Sequence, residues 1–160
     1  MTPEQSVVAT AVHAWNQNVE RADKFFSSLS EEQLQAEVAP GKNRLIYLWG
    51  HLIAVHDAML PLLGVGQRLH PELDDAFLKN ADRVVTALPP AADLKRYWDE
   101  VNGRLQKEFA VFTAKDWTHK HTIVSEDDFA ANPLRNRFAI LLSRTAHLAS
   151  HFGQVLLAPK

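Results

Sequence analysis

Eight histidines in 160 residues are the least ordinary feature of this chain, and their placement decides what they can do. His147 and His151 lie four apart in a segment of helical period. At about 100° per residue they differ by about 40° and stand one turn apart on one face, where two imidazoles can hold one metal ion. Arg144 and Gln154 share that face, so it reads equally as a polar stripe turned to water. His51 falls in the most apolar segment, with Leu48 one turn before it and Val55 one turn after. A histidine within an apolar face needs a partner for each ring nitrogen. Either a carbonyl or a water supplies that partner, or His51 is a third ligand meeting His147 and His151 inside the fold. Three neutral imidazoles with an open position suit catalysis, because structural zinc closes with four protein ligands. Imidazole ligation fits zinc, nickel, copper or iron(II) without choosing among them. Ligation needs neutral rings, so binding should weaken as pH falls below about 6.5.

The other polar candidates carry less. His119 and His121 alternate in a stretch that reads as loop. His56 is five residues from His51, about 140° round a helix, so both cannot face one ion. His13 falls off the apolar stripe of its segment and reads as exposed; His70, before Pro71, reads as a turn residue. Gln154, three after His151, either orients a ligand or is solvated. Arg144, one turn before His147, either meets an anionic substrate or is a surface arginine. Asn18 and Glu108 mark the edges of their apolar stripes.

Four long segments of helical period must position these residues. The first, about 3–28, opens with Thr2 as cap, Pro3 in the first turn and Gln5 completing a capping box. Its stripe is Val8, Val12, Trp15, Val19, Ala22 and Phe26. Ser30 to Gln33 repeats the capping pattern. The second, about 43–63, is apolar nearly all round apart from Asn43, Gly50 and Asp57, and so is buried on most sides. The third, about 93–114, carries Leu94, Trp98, Val101, Leu105, Phe109 and Phe112. The fourth, about 134–158, has Asn132 as cap and Pro133 as first residue, with Leu134, Phe138, Leu141, Leu148 and Phe152 as ridge. The connection 64–92 is bounded by Gly64-Val65-Gly66 and Pro89-Pro90, with a short helix at 71–79. The connection 115–131 reads as loop, since Thr118 to Val124 alternates weakly with no strand to pair with. The expected fold is one all-α domain over 1–160, a four-helix bundle with long crossover connections. Its core is expected to hold Trp15, Leu48, Val55, Trp98, Leu105, Leu141 and Phe152.

Composition removes several functions. The chain has no cysteine, which excludes a disulfide scaffold, a cysteine-ligated metal and a cysteine nucleophile. Lys and Arg number 17 against 19 Asp and Glu, for a net charge of −2, so no basic surface for nucleic acid is expected. Gly50, His51, His56 and Asp57 interrupt the densest apolar run, Leu45 to Leu63, which argues against a membrane span. No export signal opens the chain, and the cytoplasm is expected. No Glu precedes a His by three and no H-E-x-x-H occurs, so a ferritin-like di-iron bundle and a zinc protease are both set aside.

Two stretches, Leu48-Trp49-Gly50-His51-Leu52 and His147-Leu148-Ala149-Ser150-His151-Phe152-Gly153-Gln154, together carry a resemblance. A W-x-H-L signature on the second helix, followed near the carboxyl end by H-x-x-x-H-x-G-Q, resembles the DinB/YfiT-like metalloenzyme superfamily over essentially the whole chain. The resemblance implies a four-helix bundle of uncommon connectivity holding one divalent metal, most often zinc or nickel, through His51, His147 and His151. It also implies a homodimer, and thiol-dependent S-transfer or isomerisation of a small-molecule substrate with a low-molecular-weight thiol such as bacillithiol, mycothiol or glutathione. The rival expectation is a non-catalytic dimeric metal-binding bundle serving as a binding or stress-response module.

Overall fold

A computed structural model describes residues 1–158. Its long helices are α1 (Pro3–Ser27), α2 (Leu45–Asp57), α4 (Ala91–Val111) and α7 (Arg137–Val155). Short helices α3 (Met59–Leu63), α5 (Ala114–Thr118) and α6 (Glu126–Ala131) fill the turns between them. α1 packs on α7 and α4, and α2 packs on α4 and α7. Of the consecutive long helices, α1 and α2 therefore stand diagonally, as do α4 and α7, while α2 and α4 are neighbours; the two diagonal connections cross the ends of an all-α bundle. No named strand forms among the described residues; Glu37 with Arg44 and Lys120 with Asn136 make isolated bridges.

Several boundaries follow from local chemistry. The Thr2 hydroxyl accepts from the Gln5 amide at 3.2 Å while Gln5 Oε1 accepts from the Thr2 amide at 2.8 Å, the reciprocal box expected at the start of α1. Ser30 and Gln33 repeat it ahead of a 3-10 turn, Gln33–Gln35. The expected second helix is divided: α2 ends at Asp57, because Pro61 has no N–H for the Asp57 carbonyl and its ring crowds it. The third helix stops at Val111 rather than about 114, where Thr113 and Asp116 form a new capping box and open α5.

The fourth helix corrects the reading most. Its cap is Asn136, whose side chain accepts from the Ala139 amide at 2.9 Å, not Asn132. Pro133 lies outside it, and Leu134 is 76% exposed instead of on the buried ridge. Ser125 caps α6 by accepting from the Asp128 amide, in a stretch read as loop.

One continuous core holds Trp15, Leu48, Trp98, Leu105, Leu141 and Phe152, as expected. Val55 is only half-buried, and its neighbour His56 takes the interior place. Phe26 and Trp49 stack with centroids 5.2 Å apart, joining α1 to α2. The stretch Leu45–Leu63 is long and apolar enough to cross a bilayer, but 72% of it is buried inside the bundle.

The connection from α3 to α4 is tied down along its first half. Asp57 is fully buried and accepts from Arg68 Nε at 2.8 Å and from the Leu69 and His70 amides at 2.8 and 2.9 Å. Arg68 also grips Asp74 at 2.5 Å. The helix expected over 71–79 is a 3-10 turn, Pro71–Leu73, followed by a π turn, Asp75–Lys79. Asp82 then receives the Arg44 amide and guanidinium at the start of α2. Burial raises the Asp82 carboxyl, but the bonds from Arg44 outweigh it and hold the group below the ordinary carboxylate range.

Candidate metal centre

Three half-buried histidines converge between two long helices. α2 supplies His51; α7 supplies His147 and His151 from successive turns. His147 Nε2 lies 3.3 Å from His51 Nε2 and 3.1 Å from His151 Nε2. Zinc–imidazole bonds of about 2.0–2.1 Å at tetrahedral angles separate ligand nitrogens by about 3.3 Å. The three rings are thus spaced as ligands of one ion, and together they could hold a metal.

The far nitrogens settle two tautomers. The Phe77 carbonyl can only accept, so His51 Nδ1 donates to it at 2.8 Å and Nε2 keeps its lone pair. His151 Nδ1 donates to Gln154 Oε1 at 2.9 Å, leaving its Nε2 free in the same way. Both lone pairs then face the space shared with His147. Partners of this kind fix ring orientation and raise basicity at metal sites. Gln154 is exposed and also bonds His151, so each of its two readings describes part of its position. His147 Nδ1 is buried without a protein partner.

Phe77 reaches His51 because residue 50 is glycine. A Cβ there would sit 2.3 Å from Phe77 Cε1 and Cζ, well inside contact distance. Gly50 is accordingly buried under the π turn, not part of a polar strip. Tyr47, one turn before His51, stacks near-parallel to its ring and donates to the Asn80 carbonyl at 2.8 Å. The π turn is thereby held to α2 at its middle residue, Phe77, and at Asn80 just past its end. Sequence reasoning passed over Phe77 and Tyr47; only Tyr47 left a signal, its position four before His51.

Burial is the largest influence on the His147 ring; with the neighbouring His151 and His51 and the Arg144 charge it pushes the pKa down to about 4. Burial also lowers His51, against the opposing bond to the Phe77 carbonyl. Both rings are therefore kept neutral, the form that ligates.

The remaining histidines lie apart from this cluster. His56 is fully buried against Trp15 and Trp98, with ring centroids at 4.7 and 5.3 Å. Asn102 Nδ2 donates to the Trp98 carbonyl, so its Oδ1 faces His56 Nδ1, which donates at 2.9 Å. Burial drives His56 down to about 3. His70 is more than a turn residue: it is buried against Tyr97 and lies between Glu72 and Glu100, at 3.1 and 2.8 Å. His13 and His119 are exposed and His121 is half-buried. Asn18 bonds the Ala14 carbonyl, Glu108 pairs with Arg104, and neither enters the cluster. Arg144 is half-buried on the α7 face that carries the ligands.

Among curated proteins none matches the chain. A family model described as the DinB superfamily matches residues 14–155, which takes in all three clustered histidines, α2, α4 and α7 entire, and α1 from Ala14 onward. The helical bundle and this match, spanning most of the sequence, agree: the chain belongs to the DinB superfamily.

Proposed function

We propose that this protein is a metal-dependent enzyme whose single divalent ion, zinc or nickel, is held by Nε2 of His51, His147 and His151. The observation that carries the reading is the convergence of three Nε2 atoms, two with lone pairs fixed inward by Phe77 and Gln154. An ion bound by three neutral protein ligands keeps open positions, acts as a Lewis acid and lowers the pKa of a coordinated thiol or water. The chain's own work is to hold the His51 and His147 rings neutral, to aim His51 and His151, and to shield one side with Phe77 and Tyr47. With no cysteine in the sequence, a sulfur nucleophile must arrive as a low-molecular-weight thiol cosubstrate. The proposed reaction is thiol-dependent S-transfer or isomerisation of a small molecule by a cytoplasmic homodimer.

The second reading, a dimeric metal-binding bundle without catalysis, draws on Leu142, Leu156 and Leu157, which stay exposed on and just beyond α7. Metal analysis of untagged protein, set beside His51→Ala, tests for the site. A panel of thiols with electrophilic acceptors then separates the readings. Stoichiometric metal with turnover supports the enzyme; metal without turnover across the panel supports the bundle. Absence of metal in protein supplied with zinc or nickel would end both.

A further inference from the structure

We propose that Arg144 is the anion-binding residue of this site, and that the substrate or thiol it accepts carries a carboxylate. The inference rests on the proposed metal centre and adds the class of ligand.

The argument begins with charge. None of the three clustered rings brings a negative charge; the outer nitrogens of His51 and His151 rest on a carbonyl and an amide, not on carboxylates, and that of His147 has no protein partner. A divalent ion there keeps its full charge, and the nearest formal charge on the ligand face of α7 is a second positive one. Arg144 lies one turn before His147; on the helix wheel it falls roughly 20° from His151 and 60° from His147. It also falls between those ligands and the buried stripe of Leu141, Leu148 and Val155.

Arg144 also lacks what its counterparts have. Among the described residues, half-buried Arg44 pairs with Asp82, Arg68 with Asp57 and Asp74, and Arg104 with Glu108. Arg137 lies over the Phe112 ring. Among the described residues Arg144 pairs with no carboxylate and lies over no aromatic ring, and its Nε, like that of Arg137, is buried with no hydrogen-bond partner. A guanidinium held half out of water without a partner is costly, and a bidentate carboxylate offsets that cost with two charge-assisted bonds. Ion and guanidinium therefore form a two-point site: one position for a donor such as sulfur, the other for a carboxylate on the same molecule or on its co-reactant.

The test uses cobalt(II)-loaded protein, in which thiolate binding gives a near-ultraviolet charge-transfer band. Mercaptoacetate, 3-mercaptopropionate and 4-mercaptobutyrate are titrated, each beside the mercapto-alcohol of the same chain length. In the wild type at least one acid should bind about tenfold more tightly than its alcohol, a preference of about 1.4 kcal/mol. Arg144→Gln should bind cobalt with unchanged stoichiometry, keep the affinity for the alcohols and lose the preference; Arg144→Lys should retain part of it. No preference at any length, or an equal preference in Arg144→Gln, would overturn the assignment while leaving the metal centre standing. Failure of the wild type to bind cobalt would instead remove the metal centre and this inference with it. Circular dichroism of both variants confirms that folded proteins are compared.

Discussion

Replacing Gly50 by alanine should damage the site without touching a ligand. An exposed helix-interior glycine changed to alanine ordinarily gains about 1 kcal/mol. At position 50 the added Cβ meets Phe77 Cε1 and Cζ at 2.3 Å and Cδ1 at 2.6 Å. Carbon atoms pack at about 3.5–4.0 Å, so the ring must retreat by more than about 1 Å. Overpacking of this kind costs about 1–3 kcal/mol. Set against the helix gain, the net loss in stability should be about 0–2 kcal/mol. The larger consequence falls on His51, because the Phe77 carbonyl that orients it belongs to the displaced turn. Loss of such a partner weakens metal affinity about 10–100-fold. Zinc competition against a chromophoric chelator measures the affinity, and urea unfolding the stability. Gly103→Ala is the control, since nothing lies within 4 Å of a Cβ there, and it should be neutral or stabilising. Gly50→Ala with Phe77→Leu should recover part of the affinity by clearing the ring. If Gly50→Ala behaved as Gly103→Ala does, in stability and in zinc affinity alike, the link between this glycine and His51 would be refuted.

Alanine at His51, His147 or His151 should each remove most of the metal affinity, whereas His56→Ala, His119→Ala and His121→Ala should leave bound metal near stoichiometric by elemental analysis; a triple ligand variant that kept its metal would contradict the assignment. His56 sets an acid limit on the fold. Its ring is at about 3 when folded. The unfolded ring, at about 6.5, takes up a proton first, so this contribution is complete above that value and falls as pH drops towards 3. By about pH 4.5 the wild type should lose about 2–3 kcal/mol of stability that His56→Asn does not lose, as read from paired urea titrations, and parallel pH profiles would count against it. Asn136→Ala should cost about 1 kcal/mol of thermal or urea stability through the lost cap of α7, and Asn132→Ala should cost less; the reverse order would restore the earlier helix start. Sedimentation at micromolar concentration should show a dimer of the 18.0 kDa chain, and a single monomeric species would argue against it.

The histidine cluster was legible because two of its members share a helix and the third is an imidazole in an otherwise apolar segment. Four-residue spacing places His147 and His151 together whatever the rest of the fold does. Phe77 was not legible: it acts through its backbone carbonyl, which every residue has, and through a π turn with no periodic signature. His56 shows the opposite limit. The wheel separated it correctly from His51 but could not reveal that the side facing away is also interior, because the helix is covered on nearly every side. Asn132 and Asn136 are equally good caps, and Pro133 after the first favours a start there. The choice fell to position 136, where the helix can begin beside the bridge between Lys120 and Asn136. Pro61 broke a run whose hydropathy was continuous, a reminder that apolar patterning does not see a missing amide.

The ties from Asp57 through Arg68 to Asp82 divide the α3–α4 connection into two parts with different tolerance of change. Up to residue 82 the chain is fastened to α2 by buried carboxylates, and the turn within it supplies the carbonyl that aims His51. Beyond it, Val84 is 63% exposed, and Thr86 and Ala87 are also exposed. A peptide tag, a fluorophore-bearing cysteine or an inserted domain placed near Thr86 would load only the free part of the loop. The same insertion near Asp75 would pull on His51 and the candidate metal centre. One connection thus offers a harmless attachment point and, about ten residues earlier, a handle through which the centre could be deliberately disturbed.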